Sequence, residues 1–412
     1  NLTVALPTNA RVRGGRSTDE RKLLELRNGG AMTVEAGGAI RAGYYYIGRG
    51  AGSIEAGEFA VGREVNITQR GVTTTYPIAP ILSLGDATLE VRTAGDLMLQ
   101  TVLDPLLVGK GESSVEGAFM SSQTERTTLS LASTGGDVFL VGQVKYLSKD
   151  LTYPNNAEHL YASVNNLAGN IYPSKTSITA LNASVFNHAL YTRPGSAPGT
   201  RILAGNDVSL GGIVLARAVP SMVPSPFEPV LNSSSSIVGL SSLYGVLANA
   251  ISSSSVGHML NLYRRGNPQQ LPNANDYEPS RVYALTGSLI GSVHPADAPN
   301  SAPFITTNEQ TWFQARKDIR NVHFDLRNIH TTDVSLLEAG NDIIGGVGLR
   351  FRIKDRPDQF GGQIDIQGPG ALVLAAGRDV YGANLRLYSA GNRAYDDVTN
   401  RPLDNSRILG LP

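Results

Sequence analysis

A short recurring turn pattern constrains this chain more than any other sequence feature. An apolar stretch is followed by a small residue, a Gly, a polar residue that is often Asn or Asp, and another apolar pair, as in Leu203–Val208. Gly tolerates a positive φ angle, and Asn or Asp can bond the neighbouring backbone, so each copy predicts a strand, a tight corner and a second strand. The anchoring corner glycines are Gly37, Gly57, Gly95, Gly135, Gly169, Gly205, Gly340 and Gly377.

The spacing of these glycines predicts a solenoid. Successive anchors lie 20, 38, 40, 34, 36, 135 and 37 residues apart, and each interval is close to a multiple of about 19, the expected coil length, which gives roughly 14 to 18 coils. A lone coil cannot bury its apolar face, so coils must stack at about 4.8 Å, each strand pairing with its equivalent in the next coil. The predicted fold is all-β, a parallel β-helix.

One long stretch departs from the repeat. Residues 1–218 and 281–412 are predicted to form coils, and residues 219–280 an insertion outside the solenoid, rich in Pro and carrying two four-Ser runs. Between those runs, apolar residues at spacings of three or four predict a short helix that packs on the solenoid. These residues are Leu240, Leu243, Leu247 and Ile251.

Composition and charge exclude several classes of site. The chain has 35 basic and 35 acidic residues, so no overall field attracts it to nucleic acid, and nucleic-acid binding is not expected. It has no Cys, which removes disulfides, thiolate nucleophiles and Cys-based zinc sites. The six His lack the spacing of a His-based metal motif. We therefore expect no metal site and no cofactor.

Carboxylates at the corners are the strongest candidates for chemistry. Asp207, Asp342 and Asp379 follow the corner glycines of different coils, so stacking would align them in a column. The favoured interpretation is structural, because an Asp at a corner can accept backbone N–H groups. Two alternatives stay open: a carbohydrate-active enzyme, which needs grouped carboxylates with a basic residue opposite, and calcium bound along the column.

Aromatic residues are the candidates for ligand contact. Tyr44, Tyr46 and Trp312 could stack on sugars or anchor a protein partner. Ordinary packing is favoured, because in a strand Tyr45 points opposite to Tyr44 and Tyr46, which places at least one of the three rings in the core.

Three segments carry a resemblance to a known family, the filamentous haemagglutinin-type exoproteins that Gram-negative bacteria secrete by the two-partner route. The first runs from Gly38 to Gly50 and contains three consecutive tyrosines; the others are Ala315–Val322, continued at Asp333–Leu336, and Gly368–Ala371, leading into the Gly377 corner. The segments are similar to ones in a region of unknown function near the C-terminal end of those proteins. The family's N-terminal secretion domain is not found, so we expect the chain to be a piece of a longer polypeptide.

The resemblance implies a fold, a location and partners. The fold would be a right-handed β-helical shaft, exported unfolded through an outer-membrane two-partner-secretion transporter and folded at the bacterial cell surface. Its function would be adhesion to a receptor or glycan on host or bacterial cells, or to matrix. A third alternative is a stalk that presents a toxin beyond Pro412. Open coil ends expose unpaired strand edges, which predicts end-to-end self-association.

Overall fold

The computed structural model describes about half of the chain. The described residues are 2–5, 11–12, 23–26, 29–69, 72–104, 115–116, 122–142, 171–193, 195, 199–215, 278–291, 304–307, 309–328, 332–345, 363–367, 370–381 and 386–389.

Regular structure within those ranges is entirely β-strand. The strands are β1 (Leu2–Ala5), β2 (Arg11–Val12), β3 (Leu23–Leu26), β4 (Met32–Arg41), β5 (Tyr44–Ala60), β6 (Arg63–Gln69), β7 (Val72–Ile78), β8 (Ile81–Thr93), β9 (Leu97–Leu99), β10 (Thr101–Leu103), β11 (Val115–Glu116), β12 (Thr128–Ser133), β13 (Val138–Leu140), β14 (Ile171–Tyr172), β15 (Lys175–Ala180), β16 (Val185–Thr192), β17 (Arg201–Ala204), β18 (Val208–Leu215), β19 (Ser280–Ala284), β20 (Leu289–Gly291), β21 (Phe304–Thr307), β22 (Thr311–Ala315), β23 (Ile319–Arg320), β24 (His323–Arg327), β25 (Val334–Ala339), β26 (Ile343–Ile344), β27 (Gln363–Gln367), β28 (Ala371–Ala376), β29 (Val380–Tyr381) and β30 (Arg386–Ser389).

The strands stack in parallel and form a β-helix, as the corner repeat predicts. On the side that precedes the corner, which we call the first side, β4, β5, β8, β12, β15, β17, β19, β22, β25 and β28 pair successively in register. The strands just after the corner form the second side. A third side precedes the first side in each coil, and it includes β21, β24, β27 and β30, which pair in succession. Three pairs stand outside this stack and are antiparallel: β1 with β3, β2 with β11 and β6 with β7.

The described ranges contain ten stacked coils, each identified by the residue at the end of its first-side strand. These stacked residues are Ala36, Ala56, Thr93, Ser133, Ala180, Ala204, Ala284, Ala315, Ala339 and Ala376.

The predicted coil length of about 19 residues is wrong, and with it the estimate of roughly 14 to 18 coils. Ala36 pairs with Ala56, but Ala56 pairs directly with Thr93, and Ala204 pairs directly with Ala284. Each interval is therefore one coil, whatever its length. The reason is that each coil carries three strands and connections of variable length, so the spacing of the corner glycines follows no unit period.

The described strands on either side of the predicted insertion pair directly with each other. β17 and β18 precede it, and both pair in parallel with strands that follow it, β19 and β20. Residues 216–277, which include the helix predicted from Leu240 to Ile251, lie outside the described residues, as does the corner predicted at Gly169.

The core is a set of apolar columns enclosed by the three sides. Two residues before the stacked corner position, one inward side chain from each inner coil is at most 1% exposed. This column is Ile54, Val91, Leu131, Ile178, Ile202, Val282, Phe313 and Leu337. Alternate residues of each strand point outward, which gives the period of two expected for a half-buried sheet. Phe313 meets Phe324 of the third side edge to face, with ring centroids 5.0 Å apart.

Candidate functional site: the corner ladder and the exposed tyrosines

The predicted corner glycines lie between the first and second sides, but positive φ does not explain them. Of the described glycines, only Gly43, Gly50 and Gly142 have positive φ. The constraint at the corner is close approach: a Cβ atom on Gly340 would lie 2.0 Å from the Arg316 carbonyl oxygen, and one on Gly377 would lie 2.0 Å from the Gly340 carbonyl oxygen. Glycine is therefore required by the preceding coil rather than by the local backbone. Gly37, Gly95, Gly135 and Gly205 occupy the same corner in other coils.

Directly before the second side, Asp and Ser side chains form a continuous column that we call the corner ladder. Its eight rungs, one per coil, are Asp96, Asp137, Ser184, Asp207, Ser288, Asp318, Asp342 and Asp379. The structure thus places the three predicted residues, Asp207, Asp342 and Asp379, in one column, as expected from stacking.

Each rung from Asp96 to Asp342 accepts a hydrogen bond from the backbone N–H of the rung in the next coil. Asp207 Oδ1 accepts from the Ser288 N–H at 2.7 Å, and Asp137 Oδ1 accepts from the Ser184 N–H at 2.8 Å. Five further bonds of 2.9 to 3.3 Å complete the series from Asp96 to Asp379. Backbone bonds run the other way: the Val208 N–H donates to the Ser288 carbonyl at 2.9 Å. The ladder thus satisfies corner donors that strand pairing would leave free.

Sequence reasoning missed five of the eight rungs. Asp318 follows a corner of Arg and Lys that has no Gly, and Ser184 and Ser288 are not acidic. The shared signal is position: every rung is a short hydrogen-bond acceptor immediately before the apolar residue that opens the second side. A search for that pair, rather than for Gly and Asp, would have found them. The remaining two rungs are Asp96 and Asp137.

One rung also holds an ion pair. Arg378 donates from Nη2 to Asp342 Oδ2 at 2.6 Å and from Nε to Asp342 Oδ1 at 3.1 Å. The hydrogen bond to Asp342 raises the pKa of the Arg378 guanidinium. The pair is bidentate, the geometry in which Arg binds a carboxylate most specifically, and it links two neighbouring coils across the corner.

A second polar column, unpredicted from the sequence, lines the inner end of the first side. Its hydroxyl groups are buried: Thr176, Thr200, Ser280, Thr311 and Ser335. Ser335 Oγ donates to Asn328 Oδ1 at 2.8 Å, and Asn328 Nδ2 donates to the Ala371 carbonyl at 2.8 Å in the next coil. Four of the five hydroxyl groups bond where the chain turns into the first side, whereas the Thr200 hydroxyl has no hydrogen-bond partner among the described residues.

The tyrosine triplet alternates as predicted. Tyr45 packs on the core, its ring stacked on that of Phe59 at 6.3 Å. Tyr44 and Tyr46 point outward and are 42% and 52% exposed. Partial burial raises the pKa of both phenols, so both remain neutral donors at physiological pH. Their rings form an exposed aromatic pair on the third side.

Trp312 is less available than the tyrosine pair. It lies on the outer face of the first side, with the Arg281 guanidinium 5.5 Å from its ring centroid. Its Nε1–H donates to the Val334 carbonyl at 3.0 Å in the following coil. The ring is therefore held by neighbours on both sides of the sheet ladder, which is a packing role.

Two ion pairs lie at the turn of residues 122–127. Arg126 Nη2 lies 2.5 Å from Asp86 Oδ2, and Arg193 Nη1 lies 3.1 Å from Glu125 Oε1. Both pairs cross between the turn and the coils, so their charges are used to hold the turn against the shaft.

The described part of the chain lacks two further kinds of feature. It contains no helix long and apolar enough to cross a membrane. Within the same ranges, no group of three or more His, Asp or Glu side chains could hold a metal ion. No family model, curated protein or solved structure matches the chain, so the resemblance to haemagglutinin-type exoproteins stays a prediction.

Proposed function

We propose that the chain is a shaft segment of a large secreted bacterial surface exoprotein that mediates adhesion to cells or matrix. The observation that carries the proposal is the corner ladder: eight consecutive coils are linked rung to rung by side-chain hydrogen bonds. Ten coils at about 4.8 Å per step give a rod of about 43 Å. Such a rod suits a spacer that carries exposed groups away from a surface.

The contacts of the corner carboxylates favour a structural role for the chain over an enzymatic one. Asp207 and Asp342 each accept a backbone N–H of the next coil, and Asp342 is also neutralised by Arg378. A catalytic acid or base must exchange protons with a substrate. Carboxylates whose oxygens are occupied by backbone donors and by an arginine are suited to holding coils together.

The proposed route is export through an outer-membrane two-partner-secretion transporter, followed by folding at the cell surface. Each coil contacts only its neighbours, so folding can begin at one end and propagate as the chain emerges. The absence of Cys removes any need for disulfide formation during export.

The test measures binding and cleavage on the same samples. Purified chain is immobilised on beads and incubated with labelled acidic and neutral polysaccharides and with bacterial or host cells. We expect retention of one of these ligands with no change in polysaccharide length. Shortened polysaccharide would show that the chain is a carbohydrate-active enzyme and not a shaft segment. An absence of binding to every ligand would refute the adhesive role.

A matched pair of variants locates the contact. Because Tyr44 and Tyr46 are exposed while Trp312 is held by its neighbours, Tyr44→Ser with Tyr46→Ser should reduce retention of a bound glycan. Trp312→Phe should leave retention unchanged. The reverse pattern would show that the glycan contacts the first side and not the third.

A further inference from the structure

Near the middle of the stack, two aromatic rings lie against each other on the outer face of the second side. Phe139 of β13 and Phe186 of β16 are in register on neighbouring coils, with ring centroids 4.9 Å apart and an interplanar angle of 8°. Phe186 is 38% exposed. Its partner on the following coil is Ser209, so no third ring continues the stack, and the ring face turned away from Phe139 lies on the side of the smaller residue.

The coil that carries Ser209 is recessed between its two neighbours. At the corner this coil has Gly205, whereas the equivalent residues of the neighbouring coils, Leu181 and Leu285, are 50% and 51% exposed. On the second side, Ser209 likewise lies between two larger residues. We call this recess the notch; its floor is Gly205 and Ser209, and its walls are Leu181 and Phe186 on one side and Leu285 and Ile290 on the other.

The notch is a surface of the shaft and not an effect of its ends. The three coils that form it are covered on both sides by paired strands, β12 before them and β22 after them. Facing wall residues are two coil steps apart, about 10 Å between Cα atoms. That separation admits one flat ring in the plane of the recessed coil, at the same distance from Phe186 as Phe139 is on the other side.

The polar groups around the notch are almost all uncharged. Asn182, Asn206 and Thr286 are exposed, one in the corner of each coil, and amide and hydroxyl groups donate and accept the hydrogen bonds that sugar hydroxyls make. In residues 181–187, 205–210 and 285–291 the only charged residue is Asp207. An acidic glycan would meet a carboxylate and no cation here, so the charge of the notch favours a neutral ligand.

The size of the notch favours a sugar over a protein. A stable protein interface buries about 800 Å² on each partner, whereas the apolar walls are four side chains bordered by Asn and Thr. A single pyranose ring has an apolar C–H face that can lie on an aromatic ring and hydroxyl groups that point to the rim. Its dimensions match a recess that is one coil wide.

We propose that the notch binds one ring of a neutral glycan, stacked on Phe186 as a continuation of the Phe139–Phe186 pair. The inference rests on the adhesive function proposed above and adds to it a second contact, on the second side of the shaft, together with the class of ligand. A glycan held here meets Leu285 and Ile290 on the opposite wall and the exposed amide of Asn206 at the rim.

The first experiment fills the notch. Full chain carrying Tyr44→Ser and Tyr46→Ser, so that the exposed tyrosines do not contribute, is titrated with neutral oligosaccharides of glucose, galactose and mannose and with an acidic uronate oligosaccharide. We expect binding of a neutral oligosaccharide and not of the uronate. Adding Ser209→Phe should abolish that binding at an unchanged melting temperature. The matched control is Ile344→Phe, which places the same ring on the same outer face two coils beyond Ile290 and should bind like its parent.

The second experiment separates the ring from its surroundings. In the same parent, Phe186→Tyr keeps the stacking face and should bind the oligosaccharide like the parent. Phe186→Ser removes that face and should weaken binding about tenfold, the effect of one aromatic contact. Equal affinities of the Ser and Tyr variants would show that the sugar does not stack on Phe186 and would overturn the proposal.

The remaining outcomes separate the notch from the adhesive function. Oligosaccharide binding that persists in Ser209→Phe, or binding of the uronate alone, would overturn the notch and leave adhesion standing. Adhesion to cells without binding of any oligosaccharide would do the same. If Ser209→Phe instead abolished binding of a cell-surface protein, the ligand would be a protein and the glycan assignment would be wrong. A wild-type chain that binds neither cells nor any oligosaccharide would refute the adhesive function itself.

Discussion

At the residue scale, the corner glycines show that the same residue type can be required for a reason other than the expected one. Backbone conformation was the predicted cause, but Gly340 and Gly377 keep φ outside the left-handed region and clear a carbonyl oxygen of the preceding coil. The cause depends on a neighbour 24 residues or more away in sequence, so no local pattern could reveal it.

This cause predicts a large effect of a single methyl group. Gly340→Ala places a Cβ atom 2.0 Å from the Arg316 carbonyl and should destabilise the fold by about 1–3 kcal/mol, as overpacking does. Gly37→Ala lies at the equivalent corner, where no described atom is within 4 Å of the added Cβ atom, and should leave stability unchanged. Thermal or denaturant unfolding measures both, and equal effects of the two variants would show that local backbone freedom, not close approach, selects glycine.

His323 predicts how stability varies with pH. It is buried at the start of β24, and desolvation lowers its pKa from 6.5 to about 4. Between these two pH values, His323 is protonated in the unfolded chain but not in the folded chain. The free energy of unfolding therefore falls as the pH is lowered from about 6.5 to about 4. The loss from this one group reaches about 3 kcal/mol at the acid end.

The variant His323→Gln isolates that contribution. Carboxylates also titrate at the acid end, but they are common to both proteins and cancel in the difference. Chemical denaturation at a series of pH values should give a shallower decline for His323→Gln than for wild type. Parallel curves would mean that His323 is not desolvated in the folded chain.

At the element scale, the strands are specified by sequence and their partners are not. Alternation of apolar and polar residues in segments such as Gln363–Gln367 is visible in the sequence, and the fold class follows from it. Which strand lies beside which depends on the lengths of the connections, so Ala204 meets Ala284 across 80 residues. The Ser rungs and the Asp318 corner were missed because the ladder requires an acceptor oxygen, not one residue type.

The ladder predicts that an acceptor of either kind is sufficient. Asp137→Ala leaves the Ser184 N–H without its acceptor and should destabilise the fold by about 1–3 kcal/mol, the range for an unsatisfied buried donor. Asp137→Ser should recover part of this loss, because Ser184 and Ser288 are rungs in corners of the same length. Denaturant unfolding compares the three proteins; identical losses for Ala and Ser would show that the carboxylate charge, not the hydrogen bond, stabilises the corner.

At the scale of the whole molecule, the shaft proposal depends on one continuous stack. The coils before and after residues 219–280 must be direct neighbours for the rod to be rigid, and the pairing of β17 with β19 makes them so. In a solenoid, stability is roughly a sum of coil and interface terms. A break at this interface would leave two short rods joined by a linker and would remove the basis for a shaft.

Cross-linking across that interface is the most direct test of the continuous stack. Leu203 and Tyr283 are paired on the outer face of β17 and β19, so Leu203→Cys with Tyr283→Cys should form an intramolecular disulfide on oxidation, since strands about 4.8 Å apart bring the two Cα atoms within disulfide range. Leu203→Cys with Ala284→Cys, where the second thiol points into the core, should not. Efficient cross-linking of the first pair alone is the predicted result; failure of that pair, or equal cross-linking of both, would contradict the stack.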